Sequence, residues 1–182
     1  FELNFTTAEI KIDDRSYAPG QRGEVLNNVS VSPEYFDTLG VRIVQGRNVS
    51  AADREGGALV AVINEAMARR FWPNASALGK TLTVMSTQRR YEIVGVAADH
   101  KVRSVSEAPT PYVHFAEAQR PSTYNYLMVR TSGDEDAALA AIRRELLTME
   151  PKLVFINQGT MERTFAATLL PARLGSLLAA GF

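Results

Sequence analysis

The two histidines are the residues best suited to acid–base or metal chemistry in this chain of 182 residues. His100 follows Asp99 in "ADHK", with Ser104 and Ser106 nearby, which supplies the residue types of a Ser/His/Asp hydrolase. However, no G-x-S-x-G elbow presents a serine, and adjacent residues on an extended segment point to opposite faces. A hydrolase that uses His100 is therefore the weakest functional hypothesis, and the pattern favours a loop histidine after a strand end.

Zinc binding is not indicated by the spacing of ligand-type residues. Neither His100 nor His114 has a second histidine three or four residues away, the spacing typical of zinc-binding helices. The chain has no cysteine, which excludes disulfides, thiolate catalysis and cysteine-based zinc sites. His114 lies in the β-like run "PYVHF" and is expected to pack or hydrogen-bond there. We therefore predict no metal.

Nucleotide and calcium binding are also disfavoured. The segment "LGKT" at 78–81 resembles the end of a phosphate loop, but the pattern needs a glycine where Asn74 stands, and a helix and Pro73 precede it. Lys80 is instead expected to be the exposed first residue of a strand. The carboxylate groups at 13–14, 53–55 and 134–136 fall in turns or helix starts, where acids are locally favourable. The sequence therefore predicts no cofactor and no catalytic constellation.

Composition limits the possible partners. Lys plus Arg and Asp plus Glu both total 20, so no global field would attract nucleic acid. The hydrophobic content of 46% and the charged content of 22% are ordinary for a globular protein. The length suits one average domain or two small ones.

A strand–helix–strand unit is predicted over residues 24–46. Residues 24–32 read as a strand, Ser32 as the helix N-cap and Pro33 as the first helical residue. The i, i+3, i+4 spacing of Tyr35, Phe36 and Leu39 places them on one face of a two-turn helix. Gly40 then closes the helix, 41–44 form the next strand, and Gly46 ends it.

A second unit of the same kind is predicted over residues 124–157. Residues 124–131 and 153–157 read as strands. Ser132 and Glu135 offer a capping box for a helix over 135–149, whose apolar stripe comprises Leu139, Ile142, Leu146 and Met149. Pro151 stops that helix. The two units are expected to pair into one sheet with both helices on one face, an α+β sandwich.

The intervening residues 51–121 read as a small, mostly β subdomain. Strands are expected over 59–63, 80–85, 90–99 and 111–115. Asn64 is expected to cap a short helix over 65–72, whose Phe71 and Trp72 anchor the core of this subdomain. The predicted organisation is thus residues 1–50 plus 122–165, interrupted by residues 51–121.

The end of the chain is unusually apolar. From Leu174 to Phe182 every residue is apolar, Gly or Ser. We interpret residues 166–182 as the start of a helix that leads into a membrane span, which would need about 20 apolar residues. The alternative is an amphipathic C-terminal helix packed on the domain.

The spaced motifs carry a family resemblance over about residues 24–165. The stretches "VSPEYFDTLGVRIVQGRNVSAADREG", "VAVINEAMARRFWPNASALGKTL", "YEIVGVAAD" and "PYVHFA" resemble the periplasmic core domain of MacB-like ABC transporter permeases, of the FtsX-like permease group. The residues that would act as fold determinants are Ser32, Pro33, Tyr35, Phe36, Leu39, Gly40, Gly46, Arg47, Phe71, Trp72 and Gly79.

This resemblance implies a non-catalytic domain on the extracytoplasmic side of a bacterial inner membrane. It implies a porter-like α+β subdomain (1–50 plus 122–165) interrupted by a smaller, sabre-like subdomain (51–121). The implied partners are the protein's own membrane helices, a cytoplasmic ATP-binding subunit or domain and a second permease copy. A periplasmic adaptor is a further partner in the family, but no adaptor-contact residue can be matched here.

A free-standing ligand- or peptide-binding module is the alternative function. Its support is the aromatic residues Tyr112, Phe115, Tyr124 and Tyr126, which flank the predicted junction of the subdomains. Strand residues that fill a core are the simpler explanation of these aromatics.

Overall fold

The computed structural model describes residues 6–101, 108–122, 125–161 and 163. Its strands and helices are β1 Thr6–Ile12, β2 Glu24–Val31, α1 Tyr35–Leu39, β3 Ile43–Gly46, β4 Val60–Asn64, α2 Glu65–Phe71, β5 Thr81–Val84, β6 Arg89–Ala97, β7 Tyr112–Ala116 and α3 Glu135–Met149. A 3₁₀ turn follows β7 at Glu117–Gln119. Within the described residues, no helix has both the length and the apolarity needed to cross a bilayer.

Six of the seven strands close into a ring. The hydrogen-bonded order is β6, β4, β7, β2, β1, β5 and back to β6, which we call the closed sheet. The pairs β2–β7 and β4–β6 are parallel, and the other pairs in the ring are antiparallel. β3 lies outside the ring and pairs with the last part of β6. Closure protects the edges of these six strands from further pairing.

Alternate residues of the strands face two different hydrophobic clusters, as the two-residue period of a strand requires. The inner cluster takes residues from all six ring strands and therefore fills the inside of the closed sheet. The outer cluster contains Val60 and Val62 of β4, and α1 covers it. All five residues of β4 and of β7 are buried, because both faces of these strands are covered.

The predicted strands 124–131 and 153–157 are wrong for the described residues, which contain no strand there. Their side chains stay in solvent: Val154 is 81% exposed and Ile156 is 71% exposed. Alternation gave the strand signal, but a strand also needs a hydrogen-bonding neighbour. The helix over 135–149 is confirmed. Three residues of its stripe, Leu139, Ile142 and Leu146, are half-buried, whereas Met149 is exposed.

The mixed α/β content is confirmed, but the expected sandwich is not what the described strands form. The predicted boundary between residues 50 and 51 falls inside one sheet, because β1, β2 and β3 hydrogen-bond to strands of 51–121. Among the described residues, 6–101, 108–122 and 125–128 form one compact unit, and 129–161 with 163 form a second. The functional division into porter-like and sabre-like parts stays a prediction. Residues 166–182 lie outside the described residues.

Two of the three predicted helix caps differ in the structure. The expected Ser32 cap is wrong: the N-cap of α1 is Glu34, without a side-chain bond, and Ser32 contributes only its carbonyl, which accepts from the Tyr35 N–H. The side chain of Asp134, and not of Ser132, caps α3 by accepting from two backbone N–H groups. The Asn64 cap is confirmed, since its Oδ1 accepts from the Met67 N–H at 3.1 Å.

Candidate functional site

Helix α1 and the turn that follows β3 contain most of the residues that the sequence predicts to be fold determinants. We call residues 32–53 together with His114 the α1 corner. It contains eight of the eleven predicted fold determinants: Ser32, Pro33, Tyr35, Phe36, Leu39, Gly40, Gly46 and Arg47. Phe71, Trp72 and Gly79 lie elsewhere, around α2 and before β5.

Burial holds α1 in place, because a helix of five residues is not stable alone. Tyr35 and Phe36 are buried in the outer cluster, and Leu39 packs against it half-buried. The rings of Tyr35 and Phe36 meet edge to face with centroids 5.2 Å apart. The predicted apolar face of Tyr35, Phe36 and Leu39 is therefore the face that contacts the sheet.

Gly40 ends α1 as the sequence predicts. Its φ of 69° is left-handed, a conformation that glycine adopts without a steric penalty. The Gly40 N–H donates to Asp37 O at 3.0 Å, and the Val41 N–H donates to Phe36 O at 2.8 Å. These bonds satisfy carbonyls that the end of a helix leaves open, and they set the direction in which the chain enters β3.

Gly46 and Gly95 allow the backbones of β3 and β6 to approach each other. A Cβ on Gly46 would lie 2.2 Å from Val94 O, and a Cβ on Gly95 would lie 2.0 Å from Arg47 O. The two glycines face each other in the register of the strand pair. Gly46 was singled out in the sequence. Gly95 was missed, although a glycine inside a β-branched run signals such an approach.

Arg47 and Asp53 lock the turn after β3. The guanidinium donates to both carboxylate oxygens, at 2.7 and 2.9 Å, and the N–H and hydroxyl of Ser50 add two bonds to Oδ2. These Arg47 bonds hold the pKa of Asp53 below its usual value, although partial burial acts in the opposite direction. Sequence reasoning treated Asp53 only as a turn acid and missed this partner.

His114 lies at the centre of the corner, on β7. It is fully buried, and its Nδ1 donates to Val62 O at 3.3 Å. The rings of Phe36, His100 and Tyr35 lie 5.0, 5.5 and 5.9 Å from its own. Burial, with the charge of His100 as a smaller cause, lowers the pKa of His114 to about 3. The imidazole is therefore neutral near pH 7, and it packs as expected.

The Ser/His/Asp alternative finds no support in the geometry of the described residues. Asp99 Oδ1 accepts from Asn64 Nδ2 and from the Ala66 N–H, and its Oδ2 pairs with Arg69. His100 places its Nδ1 3.2 Å from Ala98 O instead. Asp99 thus joins the end of β6 to the start of α2, which is a structural role. Ser104 and Ser106 lie outside the described residues.

The remaining determinants anchor α2 and the entry to β5. Phe71 and Trp72 are buried in the inner cluster with ring centroids 5.9 Å apart, and Trp72 Nε1 donates to Asp14 Oδ2. Gly79 has a φ of 75°, with open space where a Cβ would stand. Lys80 next to it pairs with Asp14 at 2.9 Å.

The three described residues among the aromatics invoked for a binding cleft do not line a shared surface. Tyr112 and Phe115 are buried, and Phe115 packs on Tyr91 with centroids 4.5 Å apart. Tyr126 is 46% exposed, and Tyr124 lies outside the described residues. Within the described chain, no cluster of three or more His, Cys, Asp or Glu could hold a metal ion.

Comparison with known proteins gives consistent matches. Residues 6–145, more than half of the chain, match the model of the MacB-like periplasmic core domain family. The macrolide export ATP-binding/permease protein MacB of Mannheimia succiniciproducens is 25% identical over 150 residues, which are 78% of this chain and 23% of that protein. The protein of the same name from Aggregatibacter actinomycetemcomitans is 29% identical over 76 residues, 42% of this chain and 12% of its own length.

Among solved structures, the periplasmic region of MacB from Actinobacillus actinomycetemcomitans has a similar fold. Its TM-score is 0.59 at 17% identity, and the match covers 81% of this chain and 65% of that one. The present chain spans less than a quarter of the length of the two curated relatives.

Proposed function

Because the chain belongs to the MacB-like periplasmic core domain family, we propose that it is the extracytoplasmic, non-catalytic domain of an ABC transporter permease. In this proposal it transmits motion driven by ATP hydrolysis to export, or to other extracytoplasmic work on a cargo. The observation that supports it best is the family match over residues 6–145. The curated relatives are themselves ATP-binding/permease proteins.

The α1 corner supports a mechanical role. β2 and β3 are joined in sequence by α1, yet three strands, β7, β4 and β6, lie between them in the sheet. The connection that contains α1 therefore crosses the outer face of these strands, where Tyr35 and Phe36 are buried in the outer cluster. In this proposal, a force applied at either strand reaches the other through these contacts. Packed interiors deform little, so such a body moves as a unit.

The proposed partners follow from the permease context. They are the protein's own membrane helices, a cytoplasmic subunit or domain that hydrolyses ATP, and a second permease copy that forms a dimer or pseudo-dimer. A periplasmic adaptor is a further candidate. The proposed location is the cytoplasmic membrane of a bacterium, with this domain on the outer side.

Spin labels on the complete transporter test the proposal. The chain has no cysteine, so Ala51→Cys and Ser86→Cys introduce unique labels within it once any cysteine elsewhere in the parent has been replaced. Both positions are exposed, one in the turn after β3 and one in the turn between β5 and β6. Electron–electron distances are measured in the ATP-bound and nucleotide-free states.

We expect the Ala51–Ser86 distance within one domain to stay constant, and the Ser86–Ser86 distance between two copies to change with nucleotide. The matched control is the same double variant in a transporter whose ATP site has been inactivated, where neither distance should respond to ATP. A nucleotide response confined to the distance within one domain, or no response at all, would contradict the mechanical role.

A further inference from the structure

Two arginines meet at one end of the closed sheet. β4 and β6 run parallel and begin at this end, and β7 runs antiparallel to β4 and ends there. Arg89 is the first residue of β6, and Arg120 follows the 3₁₀ turn after β7. Arg89 Nη1 donates to the carbonyl of Gln119 at 3.0 Å, which places the first guanidinium beside the residue that precedes the second.

Arg120 is fixed from several directions. Its Nη1 donates to Asn28 Oδ1 at 2.8 Å, and its guanidinium lies over the Phe115 ring with Cζ 4.7 Å from the centroid. Its carbonyl accepts from the Ser30 hydroxyl at 3.0 Å. The side chain is half-buried, and Asn28 beneath it is fully buried. A flexible surface arginine would not be held in this way.

The backbone next to both arginines, at Gln119, is also held firmly in place. Gln119 is fully buried; its Oε1 accepts from the Val60 N–H at 3.0 Å, and its Nε2 donates to Ala58 O at 2.7 Å. The segment that Arg89 contacts and that Arg120 follows is thus fixed by hydrogen bonds to the start of β4. This preorganisation lowers the entropy cost of binding a ligand.

Neither guanidinium has an acidic counterpart among the residues that the structure describes. Across the described residues, six ion pairs lie within 4.0 Å, and none of them includes Arg89 or Arg120. Burial lowers the pKa of Arg120; Tyr91 raises it, and the charge of Arg89 lowers it again. Two like charges close together at a partly desolvated site are unfavourable unless an anion joins them.

We propose that Arg89 and Arg120 form a binding site for a doubly charged phosphate group. Each guanidinium uses one Nη on the protein and has further N–H donors for a ligand, and guanidinium forks match phosphate oxygens in geometry. Two positive charges balance the charge of about −1.5 to −2 that a phosphate monoester carries at pH 7. The site does not depend on the transport function proposed above.

Titration of the purified chain with inorganic phosphate tests the site. Binding is followed by calorimetry at fixed ionic strength, with sodium chloride as the reference salt, so that the screening of charges is the same in both titrations. We expect phosphate to bind and chloride at matched ionic strength to give no heat. Equal responses to the two salts would overturn the proposal.

Three variants sharpen the test. Arg89→Gln should weaken phosphate binding about 10- to 150-fold, since a charge-assisted hydrogen bond contributes about 1.5–3 kcal/mol. Arg89→Lys keeps the charge but loses the paired N–H donors of the guanidinium. Its phosphate affinity should lie between those of the wild type and Arg89→Gln. Arg54→Gln, which removes an exposed arginine in the turn before β4, is the matched control and should bind like the wild type. Equal affinities of Arg89→Gln and Arg54→Gln would overturn the site.

Thermal denaturation without phosphate separates lost binding from lost folding, because Arg89→Gln and Arg54→Gln should melt alike. The source of the phosphate is then distinguished with vesicles. Co-sedimentation with vesicles that contain phosphatidic acid, but not with vesicles of equal charge density made with phosphatidylglycerol, supports a monoester headgroup. Binding of inorganic phosphate without co-sedimentation supports a free phosphate. Absence of both interactions overturns the proposal.

Discussion

At the scale of single residues, contacts between backbones decide which positions tolerate change. Gly46 has a φ of 69°, and the Cβ of an alanine there would lie 2.2 Å from Val94 O. Gly56 has a φ of 84° but open space around it. An alanine at either position would therefore strain the backbone. Only at Gly46 would its Cβ also overlap a neighbouring strand.

Gly46→Ala should lower the free energy of unfolding by about 2–5 kcal/mol, because the left-handed conformation costs about 1–2 kcal/mol and the overlap adds about 1–3 kcal/mol. Gly56→Ala should cost only the first of these amounts. Urea denaturation of both variants measures the difference. Equal losses would show that β3 moves away from β6 at little cost.

His114 makes the stability of the fold sensitive to acid. Its pKa is about 3 in the folded chain and about 6.5 when unfolded, so the unfolded state binds more protons between these values. Stability is complete above about pH 6.5 and falls as the pH drops towards 3. The groups that face it are His100, Tyr35 and Tyr112, which include no carboxylate.

Between pH 7 and pH 5 the wild type should lose about 2 kcal/mol of unfolding free energy through this residue, at about 1.4 kcal/mol per pH unit below the unfolded pKa. His114→Gln keeps an N–H donor for Val62 O and does not titrate. Its loss over the same range should be clearly smaller. Urea denaturation at the two pH values measures both losses; parallel losses would mean that His114 is not the group responsible.

At the scale of elements, helix ends show how far sequence reasoning reaches. The bounds of α3 and the Asn64 cap of α2 could be predicted, because propensity and capping are local effects. The cap of α1 could not: Ser32 was expected and Glu34 is observed, because tertiary packing of Tyr35 and Phe36 selects the start of the helix. Gly95 and the Arg47–Asp53 pair were missed for the same reason, because tertiary structure and not local sequence determines what these residues contact.

Asn64→Ala should be far more costly than an ordinary cap deletion. Its Oδ1 accepts from the N–H groups of Met67 and Tyr112, and its Nδ2 donates to Asp99 and to Thr110 O. Buried groups left unsatisfied cost about 1–3 kcal/mol each, so we expect a loss of about 2–4 kcal/mol.

Asp134→Ala at the exposed cap of α3 is the matched control and should cost about 1 kcal/mol. Far-UV circular dichroism during urea titration measures both variants. A loss for Asn64→Ala no larger than that for Asp134→Ala would show that water replaces the four bonds, and that this side chain is not a link between β4, β6 and β7.

At the scale of the whole molecule, the sequence predicts where most strands form but not which strands pair with one another. Strands β2 to β7 were expected within a few residues of their observed bounds. Their order was not, because β5 pairs with both β1 and β6, and no local signal encodes partners so distant along the chain. Residues 124–131 and 153–157 show the converse, since a strand-like alternation without a neighbouring strand gives no strand in the described residues.

Hydrogen exchange tests this division of the chain directly. Amides of β4, β6 and β7 are expected to exchange slowest among the six ring strands, because β4 and β7 are buried along their whole length and β6 has β3 as a third neighbour. Amides of 125–131 and 153–157 should exchange faster by several orders of magnitude, since no ladder protects them. Mass spectrometry of peptic fragments measures both classes. Slow exchange in 125–131 and 153–157 would mean that these segments pair in solution, as the sequence predicted, and would restore the sandwich.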